Sequence, residues 1–419
     1  MTFLKNSLKV GIRKRAKHPA KRSGMETLKV LFATLFGLAE PSGKEERTIA
    51  AITDFLKEQG VFGHIQVVEV LGAGVILVSK IDPSRPTIIW RADIDALPTP
   101  DGGCTHLCGH HAHTAIGAQL LLEHARAVAN GTVGEKTPNL VLVLERAEER
   151  PDLNRVDDLA TEIKKIVDPA TSQIVAIHTA YLPPMPNGTP RPPGFYTAKF
   201  PYLNITGGLF SVTLEGLGGH TGLGADGNKE RDRGTIVSHG MRLLTQIEDA
   251  LWTMSPDGHI GATVAQAGTM ASPNTNPDRF NGVVMLRVGS NEERENLLKM
   301  AQKVVDGFSV EGVTVKTGIV CAYPIFKNSP KTHALFKDAC GRAGVFFSEE
   351  IPCLPAADSI GKWLQRSPGG MALLNLRPDP ANGYPPVPNH HPDYRVPFSA
   401  VADAVRVGRA MFHLPAIDE

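Results

Sequence analysis

Short apolar runs separated by blocks of helical spacing constrain this chain most. Pro86-Thr-Ile-Ile-Trp90, Asn139 to Leu144 and Gln173-Ile-Val-Ala-Ile-His178 are too short for buried helices. Uniformly apolar runs of this length suit strands covered on both faces, and such strands occur where helices lie above and below a sheet. The intervening blocks supply helices. Lys44 to Gly60 has helical spacing, early acids Glu45 and Glu46 and a closing glycine. His113 to Ala129 and Val30 to Ala39 also read as helices, and Ile65 to Val78 reads as a hairpin about Gly72-Ala-Gly74. The expected fold class is α/β, with ligands at the carboxyl ends of its strands. Arg91 and Asp93, Glu148 and Glu149, and His178 all fall at or just beyond such ends.

The stretch from Gly207 to Val320 has a different texture. Leu209–Glu215, Gly261–Ala265, Gly282–Val288 and Gly312–Ile319 are strand-like, with helical blocks at Ile236–Leu251 and Glu292–Phe308. The order β-α-β-β-α-β is the split βαβ pattern of a ferredoxin-like α+β domain. We therefore expect a catalytic domain in two parts, 25–206 and 321–419, interrupted by an inserted domain at 207–320. Lys331–Gly344 and Ala400–Phe412 read as helices, and the proline-rich Arg377–Pro392 as a loop. Residues 1–24 carry basic residues from Lys5 to Arg22 and no acid. They are expected to be a disordered arm, or a misassigned start with Met25 as the true beginning.

Composition excludes several classes. A net charge of +1 gives no reason to expect nucleic acid or an anionic membrane as partner. No apolar run approaches the roughly eighteen residues of a membrane helix. Five cysteines, an odd number, do not make a secreted disulfide framework, so a cytoplasmic compartment is expected.

The chemistry is carried by Cys108-Gly-His110 and, about forty residues on, Glu148-Glu149. A thiolate and an imidazole flanking one glycine can face one ion, and adjacent carboxylates can divide metal binding from proton transfer. Cys108, His110, Glu149, His178 and His390 are the candidate ligands, and Glu148 is the candidate proton carrier. Asp93 is the expected partner orienting a ligand histidine. His220, after two glycines, is a candidate for stabilising an oxyanion. Asn274 and Arg287 are candidates for gripping a substrate carboxylate. A structural zinc knuckle would need a second cysteine pair, which the segment lacks.

Together these blocks resemble the metal-dependent amidohydrolase and carboxypeptidase family that includes aminoacylases, hippurate hydrolases and indole-acetyl-amino-acid hydrolases. The resemblance runs from about Gly43 onward and is carried by Arg91–Pro98, His106–His110, Ala147–Glu149, Gly218–His220 and His390–Pro392. It implies a mixed-sheet, metallopeptidase-like catalytic domain with an inserted ferredoxin-like lid and dimerisation domain. It also implies one or two divalent ions, zinc or manganese, bridged by Cys108 and completed by His110, Glu149, His178 and His390. Glu148 would be the general base or acid, His220 would come from the insert across a homodimer, and Asn274 and Arg287 would hold the substrate carboxylate.

The chain departs from the family pattern at His111, at Glu145-Arg146, at Arg150–Asn154 and at Ala357-Asp358-Ser359, which points to an altered pocket. The implied activity is hydrolysis, by metal-activated water, of a C–N bond in a small aromatic, carboxylate-bearing substrate of the N-acyl or N-aroyl amino acid type. Two alternatives stand beside it. One is an aryl-amine hydrolase acting on an activated aminobenzoate such as 5-nitroanthranilate. The other is a non-catalytic metal-binding homologue.

Overall fold

The computed structural model describes residues 24–168, 170–197, 206–220, 235–266, 275–325, 327–351 and 357–414. The basic arm lies outside them. An eight-stranded mixed sheet is ordered Ile65–Val70, Gly74–Ser79, Asn139–Glu145, Thr87–Asp93, Ser172–Ala180, Gly369–Asn375, Gly194–Tyr196, Phe347–Ser348. The middle four strands are parallel and almost wholly buried. Alternate residues feed two separate cores. Ile88, Trp90, Leu142 and Leu144 face one, and Ile89, Val141, Val143 and Ala176 face the other. This period of two explains the uniformly apolar runs.

The first core is roofed by helices Gly24–Gly37, Glu46–Glu58, His110–Ala129, Pro330–Ala343 and Phe398–Met411. The second lies under the short helices Val156–Ile163 and Ile360–Leu364. His110–Ala129 sits so close to the sheet that a side chain at Gly117 would meet Leu142 at 2.6 Å and Trp90 at 3.1 Å. That helix starts at His110, three residues earlier than its spacing indicates, directly after Gly109 in a left-handed conformation at φ 89°. The strand Gly369–Asn375 is an addition to the sequence reading. It pairs along its whole length with Ser172–Ala180.

The chain passes from Thr87–Asp93 to a strand on one side of it and then to Ser172–Ala180 on the other. Such a switch opens a crevice at the carboxyl ends, where open α/β sheets bind ligands.

The second sheet is antiparallel, ordered His259–Gln266, Arg279–Val288, Thr206–Glu215, Thr314–Tyr323. Helices Ile236–Met254 and Asn291–Asp306 cover one face, burying Phe210, Val212, Leu214, Phe280 and Leu286. Their N-termini are capped by the hydroxyls of Thr235 and Ser290, which accept from the N–H groups of Ser238 and Glu293. Leu286 and Val288 turn to this helical face, so Arg287 between them turns away from it. Among the described residues no helix is long and apolar enough to cross a membrane.

Candidate metal centre

The crevice is built from three turns leaving the parallel strands and one loop from the far end of the chain. Cys108 precedes helix His110–Ala129, Glu148 and Glu149 follow Asn139–Glu145, His178 ends its strand, and His390 lies in the proline-rich loop. The candidate donors form overlapping triads, Cys108–His110–His178 and Cys108–Glu149–His390, in each of which the donor atoms lie within 4.8 Å of one another. The Cys108 Sγ is 3.4 Å from His178 Nε2, and Glu149 Oε1 is 3.3 Å from His390 Nε2 and 3.7 Å from His110 Nε2.

Hydrogen bonds on the outer nitrogens aim these rings. His110 Nδ1 donates to Asp95, 3.0 Å from both its carboxylate and its carbonyl, which leaves Nε2 as the inward lone pair. His178 Nδ1 donates to the Thr179 carbonyl at 3.0 Å, with the same result. The inward atoms His110 Nε2 and Glu149 Oε1 are buried without a hydrogen-bond partner. Buried polar atoms rarely stay unsatisfied, and a cation between them satisfies both. Soft thiolate, imidazole and carboxylate form a donor set that fits one or two divalent ions.

Charge follows geometry. Burial pushes the Cys108 thiol up, reinforced by the nearby Glu149, and pushes His178 down to about 4. Burial would raise Glu149 as well, but in the ion-free protein the contact with His390 and the charge of a protonated His110 hold it at about 2. Glu148 goes the other way. Burial, Asp358 and Glu149 all raise it well above the usual carboxylate range.

Two sequence expectations change. The histidine that Asp93 holds is His113, at 2.6 Å, while Asp95 holds His110; Asp93 comes only within 3.7 Å of His110 Nε2. His113 is not aimed at an ion, because its Nε2 accepts the Thr179 N–H at 3.0 Å. Asp95 also accepts the Glu149 N–H at 3.0 Å, so one carboxylate ties two ligand turns together. It stands two residues on in the same Arg-Ala-Asp-x-Asp block, a signal that was there to find.

The second change concerns the altered neighbours. His111 faces away from the crevice and packs between Phe32 and Phe36, with ring centroids at 4.8 and 5.0 Å. Glu145 lies beneath the floor, where Arg91, Ser359 and the Trp363 indole contact it at 2.7, 2.5 and 2.8 Å. The departures at 145 and 359 are therefore partners of one another. Ser359 also donates its N–H to Glu148 Oε1 at 3.0 Å.

A cavity of about 480 Å³ opens over the donors. Leu182, Pro183, Met371 and Leu373 form an apolar wall, Asp358 stands near Glu148, and Arg287 of the second sheet reaches the rim. His220 lies in a two-residue strand whose partner is Thr275–Asn276; its side chain, and all of Asn274, lie outside the described residues.

A mixed sheet with a crevice of histidine, cysteine and carboxylate side chains at its strand ends, and a split βαβ insert, is a metallopeptidase-like fold. The chain is similar to the N-acetylcysteine deacetylase of Bacillus subtilis, 28% identical over 64% of this chain and 67% of the relative. In structure it is similar to YXEP of B. subtilis, described as a dinuclear metal binding peptidase from the M20 family. That match has a TM-score of 0.60 at 19% identity and covers 93% of this chain and 97% of the other. It is also similar to an aminobenzoyl-glutamate utilization protein from Klebsiella pneumoniae, with a TM-score of 0.60, 17% identity and coverage of 93% and 97%. No family model matches. The chain is thus similar in sequence to a deacetylase and in fold to a dinuclear metal binding peptidase.

Proposed function

We propose that this protein hydrolyses the C–N bond of a small, aromatic, carboxylate-bearing N-acyl or N-aroyl amino acid, using zinc or manganese held by Cys108, His110, Glu149, His178 and His390. The observation that carries the reading is the pair of triads sharing Cys108, with Glu148 lining the same largely apolar cavity. Bound ions supply Lewis acidity and make water a nucleophile near neutral pH. Glu148 accepts the proton of the attacking water and returns it to the leaving nitrogen, giving a carboxylic acid and an amine. Arg287 receives the substrate carboxylate, and the wall of Leu182, Met371 and Leu373 seats the acyl or aryl group.

The same reading takes the protein as a dimer through the inserted domain, with His220 reaching a partner's oxyanion. A cytoplasmic setting keeps Cys104, Cys108 and Cys340 as the free thiols they are here. The test is a hydrolysis screen of zinc- and manganese-loaded protein on N-acyl and N-aroyl amino acids, with aminobenzoates as a separate arm. Glu148→Gln should abolish turnover, by roughly 100-fold or more, while keeping its metal. Absence of turnover of every amide by metal-loaded protein refutes the proposal, and ammonia release from an aminobenzoate alone transfers it to the aryl-amine class.

A further inference from the structure

We propose that Tyr323 is a positioning residue for Glu148, through which the inserted sheet fixes the carboxylate that moves the proton; this rests on the reading of Glu148 given above. Tyr323 ends the strand Thr314–Tyr323, is 3% exposed, and donates its hydroxyl to the main-chain carbonyl of Glu148 at 2.8 Å. The Ser359 N–H holds the other end of the same residue, at the carboxylate. Ala147, just before it, has φ 56°, which a residue with a side chain keeps only when its surroundings enforce it. The carbonyl of Tyr323 is itself held by Arg294 of helix Asn291–Asp306, at 3.3 Å.

The register of the inserted sheet gives this contact its meaning. Arg287 pairs with Gly207, and Gly207 pairs with Tyr323, so the three form one cross-strand row. Residues directly opposite in such a row point to the same face, and its ends lie roughly 9–10 Å apart. One end lines the substrate cavity and the other grips Glu148. Any shift of the insert against the large sheet moves both together. A displacement of about 1 Å at a reacting group can cost about 100-fold in rate, so a rigid tether at this carbonyl is consequential.

Y323F removes one hydroxyl and keeps the ring, which lies under Lys362 at 4.9 Å. On the N-acyl amino acid best turned over by wild type, we expect kcat to fall about tenfold, the worth of one buried hydrogen bond. KM and metal content should stay within about twofold, and amide exchange across 146–149 should quicken. E148Q is the reference. An inactive E148Q beside a Y323F with wild-type kcat and exchange overturns the positioning role alone. Wild-type turnover in E148Q sinks the proton-transfer reading and this proposal with it. A Y323F that changes KM or metal content and leaves kcat intact also overturns it.

Discussion

Glu45 offers a test that needs no substrate. It opens helix Glu46–Glu58, where an acid ordinarily faces solvent, yet here it is fully buried. One oxygen accepts the N–H groups of Gly43 and Ala147 at 2.8 and 2.9 Å; the other has no hydrogen-bond partner. The Arg146 Nε stays 3.8 Å from it, and Arg146 is engaged by Glu46. Burial therefore prevails over the two backbone donors, with help from Asp95, and raises the carboxyl from 4.5 to about 7. The unfolded chain loses this proton near pH 4.5 and the folded one near 7, so the stability that protonated Glu45 gives is complete below 4.5 and gone above 7. At about 1.4 kcal/mol per pH unit the loss is about 3 kcal/mol. Glu45→Gln keeps an oxygen for both donors and cannot ionise. In urea unfolding of the metal-free protein, the variant should be more stable than wild type by about 3 kcal/mol at pH 8. That advantage should vanish near pH 4.5. Other titrating groups are common to both proteins and cancel in the difference. A difference that does not change with pH refutes the reasoning.

Two further substitutions address the centre. Gly109→Ala places a Cβ at φ 89° and 2.2 Å from the Thr179 hydroxyl; it should cost about 1–3 kcal/mol and weaken metal binding, read by thermal unfolding and metal titration. Asp95→Asn should loosen the ions by roughly 10- to 100-fold in a chelator competition, because the residue orients His110 and holds the Glu149 turn. Unchanged affinity would mean that the two turns hold their places without it.

The parallel core was legible because each strand buries both faces, which leaves an uninterrupted apolar run such as Leu140–Leu144. The split βαβ order of the insert was legible for a related reason, since its strands alternate and its helices do not. What spacing could not convey was depth. Glu45 reads as a helix-opening acid, and only the turn at Ala147, about a hundred residues later, shows why it is buried. His111 reads as a changed pocket residue, but one step along a helix rotates a side chain by about 100°, onto Phe32 and Phe36. Asp93 and Asp95 are equivalent in the text; the strand ends at Asp93, so only the second escapes the sheet to reach His110. Ser359 acts on Glu145 and Glu148 from more than two hundred residues away, where no local pattern operates.

The Thr179 carbonyl accepts three hydrogen bonds, from the His178 ring, the Asn389 amide at 3.0 Å and the Tyr394 hydroxyl at 2.9 Å. Two of those donors, and the candidate ligand His390 between them, belong to the last part of the described chain. Biosynthesis therefore delivers Cys108, His110, Glu149 and His178 long before the pieces that brace them. A nascent chain ending short of Asn389 holds a thiol and two imidazoles without the loop that closes over them. Of the segments that meet at this crevice, the loop that closes over it is thus the last to be synthesised.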